Sequence, residues 1–175
     1  ISERDDLYVH RIRKIRSICQ QTKKKKLVNI VSYCLNYNHY HLLLEQLVEG
    51  GVSEFMKRLN SGYTKYFNLK KNRSGVLFQG RFKAVYIDSN NYLLHLSAYI
   101  NLNNRIHTRL GRPTSKSSWE EYISKKQNDV LLCKTDIILG QFNNKKEYKE
   151  FALDALENIK NKKQDLKNLE TLLLE

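Results

Sequence analysis

Proline is almost missing from this chain of 175 residues, with a single instance at Pro113, and glycine is sparse at seven. That scarcity, with 41% hydrophobic residues, excludes collagen-like and low-complexity disordered classes and points to an ordered domain. Cysteine is scarce too. Cys19, Cys34 and Cys133 are odd in number and far apart, which excludes a disulfide framework and a zinc Cys-x-x-Cys knuckle and leaves reduced, inert thiols. No apolar run reaches the roughly 18 residues that a membrane span needs, and no signal-peptide pattern opens the chain. The densest cluster is Leu42-Leu43-Leu44, so a cytoplasmic protein with no membrane partner is expected. The length excludes two large domains and allows one compact domain with an appendage. Residue 1 is Ile, not Met, which leaves room for a preceding segment.

The most informative shortage is of acids in one third of the chain. Residues 55–112 hold eleven Lys or Arg against Asp88 alone, so ten of the thirteen excess positive charges sit there. The C-terminal third is neutral. A localised block of this kind suggests a polyanionic partner, whereas evenly spread lysines would suggest only solubility. The same block interleaves Phe55, Tyr63, Tyr66, Phe67, Phe78, Phe82, Tyr86, Tyr92 and Tyr99 with Lys57, Arg58, Lys65, Arg73, Arg81 and Lys83. Cations neutralise phosphates and aromatic faces stack on unpaired bases, which is how a single-strand-binding surface is built. The competing explanation makes the aromatics core and the cations a solvated face, and it leaves the shortage of acids unexplained.

Residues 4–20 have the three-to-four spacing of an amphipathic helix, followed by four lysines at 23–26. Residues 27–35 and 39–44 read as two strand segments with a kink or bulge near Asn36–Asn38, the second in a central sheet position. Gly50-Gly51 breaks the pattern, and a helix is expected from Ser53 to about Leu69, then a turn at Asn72–Gly75. Residues 76–79 and 82–87 look like paired strands around Gly80-Arg81. Asp88-Ser89 caps a helix from Asn90 to about His107, and Ser117-Ser118 caps a short helix through Trp119 and Tyr122. From Lys145 an amphipathic helix or helix pair is expected to pack on its own domain, because the lysines at 162–163 interrupt any coiled-coil stripe. Helix, strand, helix, strands, helix implies an α+β sandwich.

His39 and His41 are two apart in a strand, so their side chains share a face and can converge on one divalent ion. Two imidazoles do not fill a coordination sphere, and a His-x-His pair is as often structural as ligating. Tyr99 and Asn103 are four apart and share a helical face, so a strand presenting the histidines to that helix would gather four groups. A tyrosine beside a cation and a basic aromatic groove suggests covalent phosphoryl transfer, in which the phenolate attacks a phosphodiester. Spacing alone does not choose Tyr99 over Tyr92. His95 lies one helical turn before Tyr99 but sits among leucines, the setting of a structural histidine. His10 and His107 bear no pattern.

Five blocks bring these residues into one frame: Cys34-Leu35-Asn36-Tyr37-Asn38-His39-Tyr40-His41-Leu42-Leu43-Leu44, Phe55-Met56-Lys57, Ser61-Gly62-Tyr63-Thr64-Lys65-Tyr66-Phe67-Asn68, Gly75-Val76-Leu77-Phe78-Gln79-Gly80-Arg81-Phe82-Lys83 and Tyr99-Ile100-Asn101-Leu102-Asn103. In this order and at these intervals, over about residues 4–122, the chain resembles the single-tyrosine HUH transposases, particularly the branch of REP-associated tyrosine transposases. The resemblance implies an α+β, ferredoxin-like antiparallel sheet with helices on one side and the histidines on its central strand. It also implies a catalytic domain over 1–122, a helical C-terminal extension over 123–175, and a first strand missing upstream of residue 4.

By position, His39, His41 and Asn103 resemble the family's ligands for Mg²⁺ or Mn²⁺, with Gln replacing the third in some relatives, and Tyr99 resembles the nucleophile. Lys57, Arg58, Lys65, Arg73, Arg81, Lys83 and Arg105 are the expected DNA contacts, Arg81 and Lys83 as part of a hairpin. The activity implied is cleavage and rejoining of single-stranded DNA beside a hairpin through a 5′-phosphotyrosine, by a monomer or homodimer. Two departures stand out. The usual Met-Pro-Asn-His is here Asn36-Tyr37-Asn38-His39, and the usual Asn-Pro is Asn103-Asn104. A catalytically inactive, domesticated hairpin-binding protein is the alternative, and a plasmid-mobilisation nickase ranks behind both.

Overall fold

The computed structural model describes residues 25–106, 115–124 and 131–172. The expected helix at 4–20 lies outside the described residues. The architecture is α+β, with an antiparallel sheet and C-terminal helices. Strand β1 (Val28–Leu35) pairs antiparallel with β2 (Tyr40–Gln46), and a two-residue strand β3 (Lys116–Ser117) pairs with the end of β1. The sheet order β2-β1-β3 puts β1 at the centre. The central position expected for the histidine strand is therefore corrected among the described residues. The expected kink at Asn36–Asn38 is a full chain reversal, in which the Asn36 N–H donates to the His39 carbonyl at 2.9 Å. The bulge lies earlier, between Ile30 and Ser32.

Pairing partners across a ladder share a face. Cys34 opposes His41 and Ser32 opposes Leu43, and of these Cys34, Ser32 and Leu43 are buried. This face is covered by α2 (Asn90–Ile106), which supplies Ala98, Ile100 and Leu102, each at most 3% exposed. Behind α2 come α3 (Trp119–Ile123), α4 (Asp136–Leu139) and the long α5 (Lys145–Leu172). Tyr148, Ala152, Ala155 and Leu156 of α5 belong to the same core cluster as Val31 and Leu43 of the sheet, so one core spans both sides of position 122. Tyr122 is fully buried and its hydroxyl donates to the Val31 carbonyl at 2.7 Å. Burial and the nearby Tyr148, Cys133 and acidic groups push that phenol far above its ordinary range.

Helix α1 (Gly51–Lys71) starts two residues before the expected Ser53. Gly50 takes a left-handed φ of 65°, and a Cβ on Gly51 would stand 2.5 Å from the Leu27 carbonyl oxygen, so the glycine pair both breaks the strand and permits the close approach. Asn72 ends the helix in the left-handed conformation (φ 50°), with its N–H on the last carbonyls.

Residues 73–89 form neither helix nor strand, which corrects the paired strands expected at 76–79 and 82–87. Val76, Val85 and Tyr86 are 84%, 76% and 88% exposed. Their β-propensity describes a fit to a half-buried pleated surface, and no sheet neighbour among the described residues offers one there. Ser89 receives the Tyr92 N–H at 3.3 Å, as its expected cap role requires. Ser118 does not cap α3. Its hydroxyl is drawn into the core instead, where it accepts from the Tyr33 N–H and donates to Asn101 Oδ1.

Candidate active site

The β1–β2 turn and helix α2 build the site together. Alternation along β2 puts His41 on the face of Leu43, toward α2, and the His41 and Tyr99 rings meet edge to face with centroids 5.8 Å apart. His39 and His41 lie on the same side with ring centroids 5.0 Å apart. The contact between histidine and tyrosine is made within one chain. Tyr92, which spacing could not separate from Tyr99, is 42% exposed near the start of α2, two turns away.

Tyr40 stands between the histidines in sequence and points to the opposite face. Its hydroxyl donates to Asn60 Oδ1 of α1 at 2.6 Å, and burial pushes its phenol upward. Its hydroxyl is thereby tied to α1, on the face away from His41 and Tyr99. His95 packs on Phe151 of α5 with centroids 5.0 Å apart, the structural role its leucine neighbours suggested.

Asn103 is fully buried. Its Oδ1 accepts from Asn36 Nδ2 at 2.8 Å, while its own Nδ2 has no hydrogen-bond partner among the described residues. Leaving a buried amide half-satisfied costs about 1–3 kcal/mol. The same Asn36 Nδ2 lies 2.9 Å from His39 Nε2, and His39 Nδ1 lies 2.7 Å from Asn38 Oδ1. An amide NH₂ only donates and an amide oxygen only accepts, so the network is satisfied with the proton on Nδ1 and the lone pair on Nε2. That is the tautomer in which Nε2 can face a cation.

The donor chemistry fits a divalent ion: His39 Nε2 and Asn103 Oδ1 converge on one atom of Asn36, with the His41 ring alongside. Among the described residues no cluster of three or more His, Cys, Asp or Glu occurs. Sequence reasoning passed over Asn36 as a departure from a motif. Its position three residues before His39, across a tight reversal, was the available signal.

The expected DNA contacts fall into separate places. Lys57 and Arg81 line one open cleft of about 550 Å³ with Met56, Asn60, Gly80 and Phe82, and Asn60 ties that cleft to Tyr40 of the histidine strand. Arg58 is paired with Glu54 at 2.6 Å, where it holds that carboxyl below its usual range, and borders a different depression with Lys26 and Lys134. Arg73 braces the turn after α1, donating to the Val76 carbonyl at 3.1 Å and lying over Phe67. Arg105 lies over the Trp119 ring at 5.4 Å. Lys65 and Lys83 are exposed.

The aromatics of this block are mostly not core. Tyr63 is 47% exposed and Tyr66 43%, and both gather with Phe67 and Phe78 at centroid distances near 6 Å. Phe78 in turn meets Tyr40.

A family model described as "Transposase IS200 like" matches residues 3–103, more than half of the chain. No curated protein and no solved structure matches it. The matched span contains Asn36, both histidines, Tyr99 and Asn103, and on that match the chain belongs to the IS200-like transposase family.

Proposed function

We propose that this transposase cuts and rejoins single-stranded DNA beside a hairpin, with Tyr99 as nucleophile and His39, His41 and Asn103 as ligands of Mg²⁺ or Mn²⁺. The ordered sequence blocks support the REP-associated branch of single-tyrosine HUH enzymes. The observation that carries the reading is the edge-to-face approach of Tyr99 to His41 at 5.8 Å inside one chain.

Tyr99 gives up its phenolic proton and its oxygen attacks the phosphorus of a phosphodiester. The bond from phosphorus to the 3′ oxygen breaks, that oxygen takes up a proton as a free 3′-hydroxyl, and the 5′ end stays on Tyr99 as a phosphotyrosine. Attack by a 3′-hydroxyl on that ester reseals the strand without ATP, because the ester conserves the bond energy. A bound divalent ion would supply positive charge to orient and polarise the phosphate. Two imidazoles and one amide oxygen suit Mn²⁺ better than Mg²⁺, which prefers an all-oxygen shell. Lys57, Arg81 and the exposed aromatic cluster around Tyr63 suit a strand entering from the α1 side, with cations on its phosphates and rings on its bases. Lys65, Lys83 and Arg105 extend the positive field around it.

The test is a denaturing-gel assay of wild type with labelled hairpin-flanked DNA in Mn²⁺. A covalent adduct is expected, and none from Tyr99→Phe. An adduct that persists in Tyr99→Phe rejects the nucleophile. One observation favours the second reading, a hairpin binder without catalysis: Asn36 Nδ2 sits between two of the proposed ligands. That reading predicts salt-sensitive DNA binding that survives chelation, with no nicked product in Mn²⁺.

A further inference from the structure

Asn36 does something that no motif assigns to it. Its carboxamide NH₂ reaches His39 Nε2 at 2.9 Å and Asn103 Oδ1 at 2.8 Å, and its oxygen faces the Cys34 thiol at 3.6 Å. The backbone on both sides is fixed, since the Asn36 N–H is bonded to the His39 carbonyl and Leu35 is paired with Tyr40. A donor with two hydrogens therefore holds the two lone pairs that a cation would need.

We infer that Asn36 is a built-in stand-in for the cation: in the metal-free protein its amide holds His39 and Asn103 in ligand geometry, and it must release both before a divalent ion can bind. The inference rests on the proposed ligand role of His39, His41 and Asn103. It makes Asn36 a positioning residue that sets metal affinity, acting through the ligands and touching no DNA. The benefit is a site kept ordered without its ion. The consequence is weaker metal binding, because two hydrogen bonds are exchanged for coordination.

Direct titration of Mn²⁺, followed by loss of the free-ion electron paramagnetic resonance signal, tests this in wild type, Asn36→Leu and His39→Ala. Leu keeps the branched heavy-atom framework of Asn and cannot donate. Asn36→Leu is expected to bind Mn²⁺ roughly tenfold more tightly, the scale of two modest hydrogen bonds no longer opposing the ion, and His39→Ala to lose binding. Equal or weaker binding by Asn36→Leu, with binding still lost in His39→Ala, overturns the stand-in role and leaves the metal site intact. No saturable binding by wild type or Asn36→Leu rejects the metal site itself, and the stand-in with it.

A measurement on wild type alone keeps the inference testable if Asn36→Leu folds poorly. In ¹⁵N-edited spectra of the metal-free protein the His39 ring should be protonated at Nδ1, and saturating Mg²⁺ should shift the Asn36 side-chain NH₂ resonances together with those of Asn103. An Nε2-protonated ring in the metal-free protein, or Asn36 signals unmoved while His39 and Asn103 shift, overturns it.

Discussion

The two sides of the histidine strand are built in opposite ways. On the His41 side, α2 is pressed between the sheet and α5, with Ser97, Ala98, Ile100, Asn101, Leu102 and Asn103 all buried. On the Tyr40 side, α1 and residues 73–89 leave Leu69, Val76 and Tyr86 more than 80% exposed and carry eight Lys or Arg against Glu54 and Asp88, six of the thirteen excess positive charges. The packed side holds the groups proposed for chemistry, and the open side those proposed to grip DNA. Reacting groups need fixed geometry, whereas a surface for a flexible polyanion works through charge and stackable faces.

The rigidity of the packed side has an identifiable source. Tyr148 of α5 is fully buried, its hydroxyl lies 3.2 Å from Ser97 Oγ and accepts from Asn101 Nδ2 at 2.8 Å, and Asn101 Oδ1 accepts from Ser118. This network fixes the rotation of α2 from behind, so Tyr99, two residues before Asn101, faces the histidines. Replacing Tyr148 by Ala should therefore produce the largest effect on the contrast, about 3–5 kcal/mol of lost stability in denaturant unfolding. A much smaller loss would show that α5 is dispensable to the core. Tyr148→Phe should cost less, about 1–3 kcal/mol, because only the hydrogen bonds go.

Alkaline unfolding sharpens the contrast further. Cys133 lies in the packed region, and burial pushes its thiol from 9.0 up to about 12. The folded state then holds a proton that the unfolded state has released. Stability should stay level below pH 9 and fall as pH rises from there toward 12, with Tyr122 adding to the fall at the upper end. Cys133→Ala should flatten the first part of that decline. An unchanged profile would mean that the thiol ionises equally in both states.

The open side predicts the reverse pattern. Lys57→Ala and Arg81→Ala should each move stability by no more than about 0.5 kcal/mol. Each should also weaken hairpin DNA binding at low salt and reduce the salt slope by about one. Arg73→Ala, whose guanidinium braces the turn at Val76, should change the slope less and stability more. If all three behaved alike, the division of these cations into DNA contacts and a brace would fail.

The packed side was the more legible in sequence. The period-two run through His41 and Leu43 and the three-to-four spacing in α2 and α5 each report local physics that the fold keeps. The pairing of His39, His41, Tyr99 and Asn103 followed from two periodicities and a resemblance. What failed depended on neighbours. Residues 76–87 have strand composition without a ladder to join, and Ser118 has a capping residue's chemistry but finds a stronger partner in buried Asn101. Asn36 was unreadable for the same reason, since its partners are brought to it by a chain reversal and by a helix 67 residues away.

In the proposed reaction one chain supplies both the histidines and the tyrosine of its site. Mixing Tyr99→Phe with His41→Ala in equal amounts, with hairpin-flanked DNA and Mn²⁺, tests it most directly against a wild-type control that forms the adduct. No adduct from the mixture is predicted, because each molecule lacks one half of a site built within itself. Recovery of adduct on mixing would contradict the claim and assign Tyr99 to a partner's histidines.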